Sequence, residues 1–465
     1  MRSEISSFLN LSERLEHRTT DAELGFSKPP TQASRRRYEF NRNETKQRLE
    51  RIRTEVLKFE FLTRLQEEIP QAEIYLTGGA VRDAIIDKES KDFDFVIGKV
   101  EADKLREFLS KYGRVKDVES REFGVFKFYP TQIPEGMKLT EPIEIALPRS
   151  EKYRGGGTRR DVKTISDPNL PIEEDLARRD FTVNNIALNL KSGELIDPHD
   201  GVGDLEKGIL QAVGDPEQRF NFEDPSRILR GLRFACTLGL DIEEKTFQAM
   251  QKYSTEIWAN LEASRKTTNR LQQIGVNKPT YTTAGYNEIY QQMLAEVETD
   301  EGDDKLRVAA ETVAKEFLKG FHADPVRMIR LLRDTDALFM MMPELIDTIG
   351  IKQPEVHKYD VWGHTLKTLE ALPDDASINL QIAALLHDIG KPAVQEIDKE
   401  GKIHFYQHKK LSAEMARTIC RRLRLSAVEK SGPLYVDRSS VAFLVENHMQ
   451  LQNFDGMRET IKEKY

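Results

Sequence analysis

The sequence predicts an α+β protein in which a small mixed α/β unit is followed by a long helical region. Three observations predict it. Short apolar strand patterns (AEIYLT, DFDFVIG, GVFKFYP and PIEIALP) cluster between residues 71 and 150. Helical periodicity precedes them and dominates again beyond about residue 171. The chain of 465 residues is too long for one ordinary domain and suggests three or four.

Composition narrows the function. Apolar residues make up 38% and charged residues 32%, so cores are possible but most helices should be amphipathic and well solvated. A net charge of -8 argues against nonspecific, whole-surface nucleic-acid binding, and leaves room for a local basic groove. The two cysteines, Cys236 and Cys420, are far apart in sequence, which excludes a disulfide framework and a Cys-rich zinc site. The opening MRSEISSFLNLSERLEHRTT has no apolar core of signal-peptide length. No run approaches the ~20 apolar residues needed to cross a bilayer. A cytoplasmic protein with no membrane partner is expected.

Residues 1–70 read as an N-terminal helical extension. A breaker-rich patch, FSKPPTQASRRRYEF, precedes a charged helix in which Leu49, Ile52, Val56 and Phe59 recur at spacings of three and four, a face that should dock on something. The run Arg35-Arg36-Arg37 reads as a solvated arm, with RNA contact as the alternative. Residues 71–170 hold the α/β unit, which ends in RSEKYRGGGTRRD, a composition suited to a mobile loop. From 171 to 260 helix is expected, beginning with PIEEDLARRDFTVNNIAL, broken by the strand-like ELIDPHDG and resuming at FEDPSRILRGLRFACTLGL. A helical stretch spans 261–350, although 261–310 gives no clear element. The last region, 351–465, is helical and carries histidines. There are no internal repeats.

The chemistry is concentrated in IYLTGGAVRDAIIDKESKDFDFVIG. Asp92 and Asp94 are one residue apart in a strand pattern, so both side chains point to one face. Two adjacent carboxylates are unfavourable unless a cation neutralises them, and oxygen-only ligands favour a hard ion such as Mg²⁺. Glu144, in PIEIAL, can bring a third carboxylate. Gly78 and Gly79 let backbone N–H groups face a phosphate, and Arg82 adds positive charge. The set suits two-metal nucleotidyl transfer. A solvated turn is the alternative.

GGAVRD…DFD, then RRDFTVNNIAL, then EDPSRILRGLRFA is similar, in order and spacing, to the class II tRNA nucleotidyltransferase and bacterial poly(A) polymerase family. The resemblance runs from about residue 71 to 245 and continues more loosely beyond. It implies a polymerase-β-like head over 71–170, a nucleotide-selecting neck over 171–260, a tRNA-binding body over 261–350 and an HD-type domain over 351–465. It also implies tRNA, CTP and ATP as partners, in a monomer or homodimer. Arg179 and Asp180 are then expected at the nucleotide's ribose, where an acid can accept from the 2′-hydroxyl. Arg178 beside them is either part of that contact or a salt-bridge residue. Asp224 and Arg227, three apart and so expected on one helix face, would read the base edge with Glu223 beside them and Arg230 among the nucleotide contacts. An acid near a helix N-terminus with an i,i+3 ion pair is the plainer account of that motif. RGGGTRR is a candidate for an element that moves between C and A addition.

HKYDVWGHTLKTLEAL, AALLHDIGKP, FYQHKKLSAEMA and VENHMQ place His364, His387, Asp388, His408 and His448 on helices. The pattern resembles the HD phosphohydrolase domain. Imidazole with carboxylate suits a transition metal such as Ni²⁺, Mn²⁺ or Fe²⁺ better than Mg²⁺, and bound metal would activate water for phosphoester hydrolysis at RNA ends. The domain's usual pattern closes with a further Asp well beyond the last histidine. Here only 17 residues follow His448, and Asp455 is a poor substitute. An active hydrolase and a fossil domain retained for packing or dimerisation both remain open. The leading expectation is full CCA addition to tRNA. The alternatives are addition of CC or A alone, poly(A) synthesis, an HD phosphohydrolase with an RNA-binding head, and a noncatalytic RNA binder.

Overall fold

The computed structural model describes residues 20–26, 28–32, 38, 41–90, 92–117, 124–137, 139, 141–153, 162–254, 308–354 and 357–449. Arg35–Arg37, the RGGGTRR segment, residues 261–307 and Asp455 lie outside these. The chain divides into two units, one spanning Thr31–Tyr253 and the other joining Met1–Pro30 to Ser254–Tyr465.

Among the described residues, the first unit is organised by a seven-stranded sheet in the order β3-β4-β5-β2-β1-β8-β9. The strands are β1 (Glu73–Thr77), β2 (Asp94–Gly98), β3 (Gly113–Asp117), β4 (Val125–Pro130), β5 (Ile143–Ala146), β8 (Ala187–Asn189) and β9 (Leu195–Ile196). β6 (Arg149–Tyr153) and β7 (Val162–Ser166) form a separate antiparallel hairpin. Only β2 and β5 run parallel within the large sheet, so it is mixed. Successive residues of β2 face opposite ways. Phe95 meets Phe61 of one flanking helix at 6.3 Å between ring centroids, while Val96 joins Tyr75, Ile172, Leu176 and Ala187 in a core on the other side.

Helix α1 (Arg42–Val56) starts where Asn41 Oδ1 accepts from the backbone N–H of Asn43 at 3.0 Å. Leu49, Ile52 and Val56 of its expected face are buried, but the helix ends at Val56, and Phe59, also buried, stands at the start of the next helix. Helix α2 (Glu60–Glu68) buries Phe61, Leu62 and Leu65. Helices α3 (Gly79–Ile85) and α4 (Ala102–Ser110) follow β1 and β2, and α5 (Ile172–Ala177) precedes β8. Beyond the sheet come α6 (Gly201–Lys207), α7 (Ser226–Leu238) and α8 (Glu244–Tyr253). On α7, Ile228, Leu232 and Ala235, spaced by four and three, are fully buried.

One expectation fails. The helix predicted through RRDFTVNNIAL stops at Ala177, and residues 182–184 form a 3₁₀ turn. Ala187–Asn189 then pair antiparallel with β1, so the sheet continues past residue 170. The run of apolar residues in TVNNIAL is short enough for either element, and a free sheet edge decided it.

The second unit is helical. Its elements are α9 (Ala310–Ala323), α10 (Pro325–Asp334), α11 (Ala337–Met341), α12 (Pro343–Ile346), α13 (Val361–Glu370), α14 (Ile378–Leu386), α15 (His408–Arg422) and α16 (Arg438–Asn447), with a short hairpin pairing Gln395–Ile397 and Ile403–Phe405. The N-terminal residues belong to this unit. Asp21 accepts from Arg330 at 2.7 Å and Arg333 at 3.1 Å, and Arg327 Nε donates to Pro30 O at 2.9 Å. No helix among the described residues is long and apolar enough to cross a membrane.

Candidate active site and metal centre

Strand register assembles the first constellation. Asp94 is the Cα partner of Glu144 on β5 and of Thr77 on β1, which places Asp94 and Glu144 side by side on one face. Asp92 stands just before β2 instead of within it, and both aspartates are exposed. The Asp94 carboxyl reaches solvent through an opening in otherwise enclosing protein. That enclosure, then the neighbouring Glu144 carboxylate, push its pKa up to about 6; Asp92 adds to this and Arg179 opposes it. Carboxylates crowded this way fit a hard divalent cation, which would relieve their repulsion.

Gly78 lies between this cluster and Arg179. Its φ of +68° favours glycine, and a Cβ there would sit 3.3 Å from Arg179 Nη1 and 3.7 Å from Asp94 Oδ2. Gly79 opens α3. Arg82, expected beside the phosphates, is buried and held by Asp83 at 2.7 Å and Asn184 Oδ1 at 2.5 Å.

The arginines of the RRD motif separate. Arg178 takes the salt-bridge role, pairing with Asp175 at 2.9 Å and Glu151 at 3.0 Å. Arg179 faces the carboxylate cluster and pairs more loosely with Asp175, at 3.4 Å. Asp180 is buried and accepts from Arg230 Nε at 2.7 Å and Phe181 N at 2.9 Å. Burial opposes its ionisation, but Arg230 and Arg227 outweigh that and bring its pKa down to about 2.

A π-helical turn, Gln218–Glu223, leads into the EDPSRILRGLRFA motif, a geometry frequent at functional sites. Glu223 is buried and clasped by Arg219 at 2.8 Å and Arg227 at 2.6 Å. Asp224 does not share a helix face with Arg227. It precedes α7 in extended conformation, where its Oδ1 accepts from Ser226 N at 2.9 Å. Gly231 lets α7 close on its neighbours, because a side chain there would strike Phe181 and Met250.

The second constellation lies in the helical unit. Asp388, 2% exposed, is surrounded by imidazoles: His387 and His364 Nε2 lie 3.1 and 3.6 Å from Oδ2, and His408 and His448 Nε2 lie 3.4 and 3.7 Å from Oδ1. Three of these rings are oriented from behind. The Nδ1–H of His387 donates to Ala384 O at 2.8 Å, that of His408 to Phe405 O at 2.7 Å and that of His448 to Val445 O at 2.7 Å. For His408 and His448 this turns an Nε2 lone pair inward, an arrangement typical of metal-ligating histidine, whereas His387 Nε2 faces the Asp388 carboxylate as a donor. Burial and the nearby His387 bring the His364 and His448 pKa values down to about 4, so both are neutral at pH 7. Burial opposes ionisation of Asp388, yet His387 and Lys391 hold its carboxyl well below the usual range. Asp388 Oδ1 and His408 Nε2 are buried without a hydrogen-bond partner. Orphaned donor atoms of this kind, converging at one point, fit a bound transition metal.

Residues 74–211 match the Poly A polymerase head domain family, and residues 357–463 match the HD domain family. A curated relative, the Multifunctional CCA protein of Azoarcus sp. (strain BH72), is 33% identical over 75% of this chain and 69% of its own length. The chain belongs to the family of CCA tRNA nucleotidyltransferases and bacterial poly(A) polymerases. Another member of this family, the Multifunctional CCA protein of Nitrosococcus oceani, is 29% identical over 76% of this chain and 70% of its own length. A CCA-adding enzyme solved in complex with CTP shares the fold, at 17% identity and a TM-score of 0.50 over 92% of this chain and 87% of that one. As a family member the protein is a nucleotidyltransferase, and both its head and its HD domain are of divalent-metal-dependent kinds.

Sequence reasoning missed several residues that build these sites. Asp175 precedes Arg178 and Arg179 by three and four residues, a helical spacing that could have flagged it. Lys391 follows Asp388 by three and binds it at 2.7 Å, the same signal. Asn184 and Glu151 carry no local signal, since their partners are more than 25 residues away in sequence.

Proposed function

We propose that this protein builds the CCA end of tRNA, transferring nucleotides from CTP and ATP to the 3′-hydroxyl without a nucleic-acid template. The observation that carries the reading is the convergence of Asp92, Asp94 and Glu144 beside the Gly78 turn, in a chain of this family. In the reaction the 3′-oxygen forms a bond to the α-phosphorus of the nucleotide and pyrophosphate leaves. Mg²⁺ ions held by Asp92, Asp94 and Glu144 would supply activation of the hydroxyl and neutralisation of the leaving group. The chain's own residues position the reactants. Gly78 and Gly79 let the triphosphate approach the backbone. Arg179, beside the carboxylates, and Asp180, held by Arg230 at 2.7 Å, would contact the ribose. Asp224 and Arg227 present an acceptor and donors to the base edge, with Glu223 setting the arginine.

The test uses tRNA transcripts ending before CCA, after C and after CC, incubated with Mg²⁺ and CTP, ATP or both, with the 3′ ends sequenced. Ordered addition of C, C and A that then stops is expected. Addition of only CC or only A would make the protein one half of a split pair. Long A tails on unrelated RNA would make it a poly(A) polymerase.

The orphaned Asp388 Oδ1 and His408 Nε2 favour a second activity in the other unit: hydrolysis of phosphoesters at RNA ends by a bound Ni²⁺, Mn²⁺ or Fe²⁺. RNA ending in a 2′,3′-cyclic phosphate should be opened by the metal-loaded protein, and an inert protein would leave the centre a structural one.

A further inference from the structure

We infer that Glu151 on β6 is a positioning residue for nucleotide selection, holding the guanidinium of Arg227 in the direction from which it reads the incoming base. The inference rests on the base-reading role proposed above for Arg227. Six side chains alternate in charge through this part of the molecule: Asp175, Arg178, Glu151, Arg227, Glu223 and Arg219. Glu151 is the middle carboxylate, with Oε1 at 3.0 Å from Arg178 and Oε2 at 3.9 Å from Arg227. The Arg178 carbonyl also accepts from Arg227 Nη2 at 3.0 Å.

Neutralisation alone does not explain Glu151. Arg178 already has Asp175 at 2.9 Å, and Arg227 already has Glu223 at 2.6 Å. What Glu151 adds is a charge that reinforces the second fixed point, the bond from Arg227 Nη2 to the Arg178 carbonyl. A guanidinium held on one side by Glu223 can still rotate about that contact. Attraction from Glu151 and the bond to the Arg178 carbonyl, both acting on Nη2, remove that freedom. The Glu151 and Arg227 side chains are only 14% and 10% exposed, so water screens the attraction weakly. Glu151 also links two separate elements, since β6 belongs to the β6–β7 hairpin and Arg227 to α7. The N–H of Arg149, two residues before it on β6, donates to Asp175 Oδ1 at 3.2 Å, tying the same strand to the other end of the chain of charges.

The test compares Glu151→Gln, which keeps the shape and removes the charge, with the wild type. The quantities are kcat/KM for CTP against UTP on tRNA lacking CCA, and for ATP against GTP on tRNA ending in CC. Glu151→Gln should lower both selection ratios about tenfold, the scale at which one well-oriented side chain discriminates between bases, with KM for tRNA and the melting temperature unchanged. Unchanged ratios would overturn the inference. So would an equal loss for all four nucleotides with a lowered melting temperature, which marks a purely structural role. If Glu151→Gln does not fold, Glu151→Asp, which keeps the charge and draws it back by one methylene, decides the matter: a lowered ratio supports the inference and an unchanged ratio overturns it. A wild-type protein that adds neither C nor A would overturn the proposed function first, and this inference with it.

Discussion

Asp94 is the residue on which the proposed nucleotidyl-transfer site turns, because strand pairing sets it against Glu144 and the Gly78 turn sets it against Arg179. Asp94→Asn should reduce CTP and ATP incorporation by at least about 100-fold, the scale for removing one preorganised charge from a transition state, with the melting temperature preserved. Its titration gives a second expectation. Between the ordinary value of 3.8 and about 6, the folded protein holds a proton that the unfolded chain has released, so without a cation this carboxyl makes stability fall as pH rises through that window. A cation must displace the same proton, so Mg²⁺ should bind more weakly at pH 5 than at pH 7.5. Calorimetric titration at the two values checks this, and equal affinities would contradict it. Asp180 has the opposite sign. With its pKa brought down to about 2, the stability it contributes is present above pH 3.8 and is lost as pH falls through about 2. At this scale the sequence singled out candidate residues for the chemistry, but not their partners. Arg82 and Arg178 look alike as charges in their motifs, and only the fold shows Arg82 bonded to Asn184 and Arg178 paired with Glu151.

Helix α2 is the element that secures the sheet under the carboxylates. Phe61 meets Phe128 at 4.8 Å and Phe95 at 6.3 Å, and Phe95 is the residue after Asp94. Phe61→Ala should therefore destabilise the protein by about 3–5 kcal/mol, measured by denaturant unfolding, with weakened Mg²⁺ binding as the strand loosens. The helices α1 and α7 were legible because their apolar residues repeat over several turns, a pattern that local packing rewards wherever the helix lands. TVNNIAL was not, because a short apolar run fits a helix or a strand equally well. Pairing with β1 settled it, and that pairing joins segments more than 100 residues apart. Asp224 was misplaced for a related reason. A proline follows it, and the residue before proline is pushed out of the helical region, so the acid caps α7 instead of lying along it.

Over the whole chain the two candidate sites lie in separate units, neighbouring carboxylates in the sheet-based one and imidazoles around a carboxylate in the helical one. The donor types predict different metals, since carboxylates alone suit Mg²⁺ and neutral imidazoles suit softer ions. Asp388→Asn should abolish transition-metal retention, read by elemental analysis of the purified protein, while leaving CTP incorporation in Mg²⁺ unchanged. Loss of both would contradict the division of labour. The sequence by itself determined the α+β class, the order of the motifs and the residue types at both sites, because these depend on local periodicity and on the chemistry of single side chains. Only the tertiary structure decided that Glu144 stands beside Asp94, that two histidines within helices and two at helix C-termini converge on one carboxylate, and that Glu151 joins Arg178 to Arg227. Each of these juxtapositions depends on strand register or helix packing between distant segments, and no local pattern encodes a distance between residues that meet only when the chain has folded.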